Sequence, residues 1–210
     1  SKWNTRSVTT LGATFSKAEL FTGQGLIQWD TRNVEDLSNT FDGTRSLRGD
    51  VISSWNVEKV TSLEYAFRSA TSYSGVGISS WNTSNVKSLT YTFYEATNFR
   101  EDLSRWNVRR VISFDSDTTF ESVALDLCSK LSMYNSWGEQ NLDMETSWNE
   151  VCNCDLISTS EELRNHVKRW LDNPENHVCG EDIGKWDVSR LTDLNDVFLG
   201  MREFDDSRTS

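Results

Sequence analysis

The chain has 210 residues, of which 25% are charged, and its formal net charge is −11 at pH 7. This acidic balance argues against a nucleic-acid backbone as the main partner, because phosphates repel an acidic protein. The sequence contains no apolar stretch of the roughly 18 residues that a membrane span requires. A chain of this length forms one domain or two small ones.

A 26-residue repeat dominates the first half of the chain. Tryptophan leads each copy and recurs once more near the end, at Trp3, Trp29, Trp55, Trp81, Trp106 and Trp186. Counted from each tryptophan, apolar residues return at the fifth, eighth, twelfth and eighteenth positions, which in the third copy are Val60, Leu63, Phe67 and Tyr73. A fixed period of this length is typical of stacked supersecondary units.

The repeat predicts stacked coils of short elements. A single copy buries too little apolar surface to offset the entropy of ordering it, so stability must come from contacts between neighbours. The segment from tryptophan to the fifth position is typical of a short strand, and the spacing from the eighth to the fifteenth position is typical of one or two helical turns. We therefore expect a right-handed α/β solenoid of about five coils over residues 1–127. Thr118 breaks the aromatic twelfth position, and Phe120 and Val123 are the candidates to replace it.

Residues 128–158 have no period and form a predicted cysteine-rich connecting region. Three of the four cysteines lie there and one follows: Cys128, Cys152, Cys154 and Cys179. An even number of cysteines in one region predicts a disulfide framework in a secreted protein. Since Cys152 and Cys154 cannot bond to each other without strain, we expect one to pair with Cys128 and the other with Cys179. Free thiols and a metal site remain alternatives. Trp137 and Trp148 fall outside the repeat register and are candidates for exposed contact.

Residues 159–210 are predicted to form a cap helix and the start of a second array. Thr159 followed by Glu162 matches a capping box. Four apolar residues then fall on one helical face: Leu163, Val167, Trp170 and Leu171. The pattern predicts a helix over residues 159–172, ahead of a further coil led by Trp186.

The repeat resembles that of a family of bacterial surface proteins and lipoproteins. The fourth copy reads Trp81-Asn82-Thr83-Ser84-Asn85-Val86, followed by Leu89, Phe93, Ala96 and Phe99. This pattern is similar to the 26-residue repeat of the BspA-like branch of leucine-rich-repeat-like proteins, which is found also in algal surface proteins. The resemblance implies an α/β solenoid on secreted or surface-exposed proteins that serve adhesion and interaction, and it implies no shared enzymatic activity.

Stacked coils would align the cations of the third and fourth positions. These are Arg6, Arg32, Lys59, Arg109, Arg110 and Arg190. They predict either a solvated edge or a basic stripe that binds an acidic protein or an anionic glycan. Polar residues directly after each tryptophan, such as Asn56, are expected to bond to the backbone of a turn. Asn82 begins the only N-glycosylation sequon.

The expected function is structural rather than catalytic. No nucleophile pattern or phosphate-binding glycine loop accompanies the two histidines, so we expect neither an enzyme nor a cofactor. The repeat begins and stops abruptly, which suggests a piece of a longer tandem protein or end-to-end stacking of copies into a filament. We expect an extracellular or cell-surface protein that assembles with copies of itself or with other surface proteins. The alternative is an adhesion module that recognises a protein or glycan.

Overall fold

The computed structural model describes residues 3–140, 142, 144, 159–172, 186, 188, 191–195 and 197–199. The chain forms two compact units, an N-terminal unit over Ser1–Glu150 and a C-terminal unit over Val151–Ser210. The helices are α1 (Ser116–Thr119) and α2 (Leu127–Gly138) in the first unit and α3 (Ser160–Asp172) in the second. Short 3₁₀ turns lie at Leu26–Gln28 and Ile78–Ser80.

The N-terminal unit stacks five coils, which we number by their leading tryptophans Trp3, Trp29, Trp55, Trp81 and Trp106. The predicted α/β solenoid is wrong, and so is the leucine-rich-repeat-like architecture that the resemblance implied. Across the described residues there is no strand beyond isolated parallel bridges, and coils 1 to 4 contain no α-helix. The bridges join one residue of each coil to the next, in the order Thr10, Asp36, Ser62, Ser88 and Ser113.

The hydrogen bonds of the backbone explain why the predicted helical turns do not form. In coil 3, the N–H groups of Leu63, Tyr65 and Phe67 donate to carbonyls of coil 4 at 2.9–3.0 Å. The residues between them bond within the coil, and the Ala66 N–H donates to the Leu63 carbonyl at 3.0 Å. Because every second N–H serves the neighbouring coil, the ladder of bonds four residues apart that defines an α-helix cannot form.

This alternation requires left-handed backbone twice in each of coils 1 to 4. The positions lie ten and fourteen residues after the tryptophan, and in coil 3 they are Tyr65 (φ 55°) and Ser69 (φ 53°). The corresponding residues of coil 2 are Asn39 (φ 57°) and Gly43 (φ 69°). The apolar spacing that is typical of a helix therefore arises from a run of tight turns.

Aromatic columns form the dry interior of the stack. The phenylalanines of the twelfth position stack with ring centroids 5.5–5.6 Å apart, along Phe15, Phe41, Phe67 and Phe93. Tryptophans stack beside them, with 6.2 Å between Trp29 and Trp55. The eighteenth-position rings pack on the phenylalanines, as in the pair Phe67 and Tyr73 at 4.9 Å. Each coil thus completes the core of its neighbour.

A threonine two residues after the tryptophan joins the coils along one edge. The hydroxyl of Thr31 donates to the Asn56 carbonyl at 3.1 Å and accepts from the Asn56 N–H at 2.8 Å. Thr5 makes the same two bonds to Asp30. Since both threonines are buried, these bonds replace water for backbone groups of the next coil.

In coil 5, helix α1 adds two residues and shifts the register. The Asp115 carboxylate caps this helix by accepting from the Asp117 N–H at 3.0 Å. Phe120 then occupies the aromatic column, 5.6 Å from Phe93, which confirms it as the replacement for Thr118. The hydroxyl of Thr119 donates to the Leu89 carbonyl.

Helix α2 covers coil 5 and continues its hydrogen bonding. Trp137 is fully buried, and its Nε1–H donates to the Leu103 carbonyl at 3.1 Å, as that of Trp106 does to Ile78. The prediction that Trp137 is exposed is therefore wrong, while Trp148 lies outside the described residues. Gln140 accepts from the Val108 N–H at 2.8 Å and donates to the Trp106 carbonyl at 3.2 Å. Its amide makes the hydrogen bonds that the backbone of a sixth coil would make.

The C-terminal unit is built on α3. The predicted capping box is confirmed, because Glu162 N–H donates to the Thr159 hydroxyl and Thr159 N–H donates to the Glu162 carboxylate, both at 3.1 Å. Buried Leu163, Val167 and Trp170 form the apolar face of the helix. The face packs with Trp186 and Val197. Leu194 and Phe198, which the repeat register assigned to a core, are 57% and 43% exposed.

The structure does not show the expected disulfide-stapled insertion. No disulfide occurs within the described portion of the chain, which includes none of the four cysteine side chains. Cys152, Cys154 and Cys179 lie outside the described residues. The backbone of Cys128 belongs to α2, and its side chain is also outside them. The proposed pairings stay untested.

We predict that Phe120→Ala lowers the free energy of unfolding by about 3–5 kcal/mol, because it opens a cavity in the aromatic column. Thr118→Ala is the matched control, and we expect it to change stability little. Urea unfolding of the full chain measures both. Equal losses would mean that the column does not pass through Phe120.

We also expect Thr31→Val to cost about 1 kcal/mol, because the Asn56 N–H and carbonyl lose a buried partner. The exposed Thr22 offers a control, and Thr22→Val should leave the urea midpoint unchanged. A Thr31→Val chain as stable as wild type would show that the edge bonds add nothing.

Candidate interaction surfaces

The backbone of the third position is fixed by the residue directly after each tryptophan. The side chain of Asn4 accepts from the Arg6 N–H at 3.2 Å, and that of Asn107 accepts from the Arg109 N–H at 3.2 Å. Asn56 bonds in the same way to Glu58. The predicted structural role of these polar residues is confirmed, and the turn directs the next side chain outward.

Cations of the fourth position are held by asparagines of the preceding coil. The Lys59 Nζ donates to the Asn33 Oδ1 at 2.7 Å, while the Asn33 amide donates to the Arg6 carbonyl at 2.9 Å. Two coils further on, Arg110 donates to Asn85 at 2.6 Å. This relay orders long side chains that would otherwise move freely in solvent.

The predicted basic stripe is present in two parts. Arg6, Arg32 and Lys59 are exposed on coils 1 to 3, and Arg109 and Arg110 are exposed on coil 5. Coil 4 has Ser84 and Asn85 at these positions, and coil 3 has Glu58, so the positive charge is interrupted. Arg190 lies outside the described residues.

Arg32 differs from its neighbours because it is paired. Its Nε lies 2.8 Å from the Asp30 carboxylate, and this hydrogen bond lowers the pKa of Asp30 below its ordinary value. The pair is open to solvent, so its contribution to stability is small. Asn82, the candidate glycosylation site, is exposed, and its Oδ1 accepts from the Ser84 N–H at 3.3 Å. Its modification stays a prediction.

An aromatic surface lies on coils 3 and 4. The rings of Tyr65 and Tyr91 are stacked 5.2 Å apart at 8°, and Tyr94 meets Tyr91 edge-on at 5.3 Å. All three tyrosines are half-buried. We call Tyr65, Tyr91 and Tyr94 the tyrosine patch. The repeat does not predict this patch, because tyrosine fills the tenth position in only two coils, and coils 1 and 2 have Ala13 and Asn39 there.

An ion pair beside the tyrosine patch links three coils. The buried Asp42 carboxylate accepts from Arg68 Nε at 2.7 Å and from Arg68 Nη2 at 3.0 Å. Ser16 of coil 1 donates to the same carboxylate. The hydrogen bond to Asp42 raises the pKa of Arg68. The Arg68 guanidinium lies over the Tyr65 ring, 5.0 Å from its centroid.

Glu101 occupies the position at which coils 1 to 3 have glycine. Ser79 donates to its carboxylate at 2.6 Å. Burial raises the pKa of Glu101, although the Ser79 bond opposes the shift. Burial, and then the charge of Glu101, raises the pKa of Tyr73, whose hydroxyl has no hydrogen-bond partner among the described residues. An ionised carboxylate at this place therefore destabilises the fold.

Among the described residues, no three His, Cys, Asp or Glu side chains meet so as to hold a metal ion. His166 is buried on α3 and contacts the ring of Trp186 edge-on at 6.0 Å. None of the helices in the described part of the chain has both the length and the apolar character that crossing a bilayer requires.

Comparison with known families gives one match. The model of a family described as "Mycoplasma protein of unknown function, DUF285" matches residues 1–24, 14–134 and 165–209, which is more than half of the chain. No curated protein and no solved structure shows a match. The match covers the coils that carry the basic stripe and the tyrosine patch.

We predict that Glu101→Gln removes a pH-dependent loss of stability. Because the folded pKa of Glu101 is raised, folding favours the protonated form. Its stabilisation is present below the ordinary value of 4.5 and is lost as the pH rises through the folded pKa. Urea midpoints from pH 4 upward should therefore fall more in the wild type than in Glu101→Gln. Parallel curves would contradict the assignment.

Proposed function

We propose that this chain, which belongs to the DUF285 family, is a surface protein whose coils bind other proteins, copies of itself among them, without altering them chemically. The observation that supports this proposal is that hydrogen bonds between coils hold exposed side chains in place. Asparagines of one coil hold exposed side chains of the next, as Asn33 does for Lys59 and Asn85 does for Arg110. A rigid array with variable outward residues suits recognition of another macromolecule.

The outward positions vary while the inward positions do not. Ten residues after the tryptophan, coils 1 to 4 have Ala13, Asn39, Tyr65 and Tyr91. Twelve residues after it, all four have phenylalanine. A chain selected for packing alone has no need of such variety on its surface. An extracellular or cell-surface location is part of the proposal, supported by the similarity of the repeat to the BspA-like surface proteins.

We infer contacts along the sides of the stack rather than end to end. Trp137 and Gln140 cover coil 5, so the aromatic columns are closed at that end of the N-terminal unit. The sides present ordered charge over several coils, with Arg6, Arg32 and Lys59 on one edge. Ordered charge of this kind increases the rate and the selectivity of association.

A second candidate is adhesion to an anionic glycan. The observation that favours it is the same run of exposed cations on three consecutive coils. Sulfate and carboxylate groups of a glycan repeat at intervals, as the coils do, so several weak contacts would add up. The acidic net charge opposes this binding at long range.

The charge-reversed variant Arg6→Glu/Arg32→Glu/Arg109→Glu tests both candidates. We expect sedimentation velocity to show wild-type assembly that grows with concentration and that this variant weakens. The matched control Lys17→Glu/Arg45→Glu/Arg48→Glu changes the net charge equally and should assemble as wild type does. Retention of wild type, but not of the variant, on immobilised heparin would favour the glycan. Monomers at every concentration, with no retention, would rule out both.

A further inference from the structure

Two residues of the tyrosine patch, Tyr65 and Tyr91, have a strained backbone conformation. Tyr65 and Tyr91 have φ values of 55° and 53°, in the left-handed region that bulky residues avoid. The stack imposes this conformation at the tenth position of every coil from 1 to 4, whatever the side chain. Asn39 shows the residue type that adopts it with least strain. The backbone conformation of the turn therefore does not explain why tyrosine occurs at this position.

The interior does not require these rings either. Tyr65, Tyr91 and Tyr94 are each partly exposed, whereas the phenylalanine of the same coils is fully buried. The stacked pair recovers some stability, because aromatic contacts contribute about 0.5–1.5 kcal/mol. Tyrosine in the left-handed region of two neighbouring coils, where packing does not require it, is therefore evidence for a role in binding.

The charges around the tyrosine patch are negative. The Glu95 N–H donates to the Glu121 carbonyl at 2.9 Å, so these two residues lie side by side next to Tyr94. The charges of Glu121 and then Glu95 raise the pKa of the Tyr94 hydroxyl. Glu95 is positioned by Ser69, whose hydroxyl donates to its carboxylate at 2.9 Å. Arg68 is the cation nearest to Tyr65, and its charge is balanced by the two bonds to Asp42.

We propose that the tyrosine patch binds an arginine or lysine side chain of a partner protein at Tyr91 and Tyr94, with their rings and the carboxylates of Glu95 and Glu121 facing the cation, because the Tyr65 ring is already engaged by Tyr91 and Arg68. Aromatic faces attract cations, and nearby carboxylates strengthen the attraction. Arg68 over Tyr65 is an internal example of the same contact. The net charge of −11 also draws a basic segment toward the chain.

This inference deepens the proposed function by naming the chemistry of one partner, and it rests on that function. Its occupant differs from that of the basic stripe, which would attract acidic groups. An anionic glycan is disfavoured at the tyrosine patch because Glu95 and Glu121 repel it. A neutral sugar, which also stacks on aromatic rings, is the competing occupant that the experiment must separate.

The test is a titration of the full chain with a synthetic peptide that alternates arginine and glycine, in about 0.15 M salt so that distant charges are screened. We expect saturable binding, and we expect Tyr65→Asn/Tyr91→Asn to raise the Kd by about fivefold or more. Asparagine suits the left-handed backbone, so this variant keeps the fold, which circular dichroism and urea unfolding verify. Maltoheptaose serves as the neutral-sugar probe.

Charge reversals provide the second arm. Glu95→Lys/Glu121→Lys should weaken peptide binding strongly. Glu35→Lys/Glu58→Lys changes the net charge by the same amount on other positions of the coils, and it should have at most a small effect. The inference is overturned if wild type does not bind the peptide saturably or if both pairs weaken binding equally. It is likewise overturned if the asparagine variant binds as wild type does, or if maltoheptaose alone binds. In any of these cases, wild-type assembly in sedimentation would leave the proposed function standing.

Discussion

Donation of every second backbone N–H to the neighbouring coil is the constraint on which the rest of the N-terminal unit depends. It occupies the groups that a helix would use and holds adjacent coils at the spacing at which aromatic rings stack. It also forces two residues in each of coils 1 to 4 into left-handed backbone. Because each coil satisfies the polar groups and covers the rings of the next, folding of the coils is cooperative.

The same constraint separates the inward residues, which pack, from the outward residues, which vary. Inward positions accept few residue types, since a ring or aliphatic side chain must meet its counterpart one coil away. Outward positions can differ because the backbone is fixed by bonds between coils. Charged residues and tyrosines occupy these positions. Exposed cations such as Arg6 lie at the third and fourth positions of the coils, whereas Tyr91 and Glu95 lie at the tenth and fourteenth. The two proposed binding chemistries therefore fall on different positions of the coil.

Periodicity predicted the inward residues well and the local backbone badly. Phe41, Phe67 and Phe93 stack as their spacing implied, because a fixed interval between large apolar side chains can only be satisfied by alignment. The helical turns were wrong because a spacing of four and then three residues is shared by helices and by paired tight turns. Left-handed Tyr65 and Tyr91 could not be foreseen, since single-residue propensity disfavours that conformation for tyrosine.

The surface was predicted in part. Cations of the third and fourth positions are exposed as expected, but an alignment of letters cannot show that asparagines of the preceding coil tether them or that coil 4 interrupts them. The tyrosine patch could not be predicted from the repeat, because tyrosine stands at the tenth position in only two coils. By contrast, the capping box of α3 was readable directly, since its two hydrogen bonds join residues three apart in the chain.

Gln140 has a consequence for how proteins of this construction change over generations. Among the described residues, its amide bonds to main-chain atoms of Trp106 and Val108 and to Ser136 of α2. These bonds depend on the geometry of the last coil, whereas Trp137 also packs on the rings of Phe114 and Phe120. Unequal recombination that keeps coil 5 can therefore lengthen or shorten the array ahead of it by whole periods, because the terminus is left unchanged.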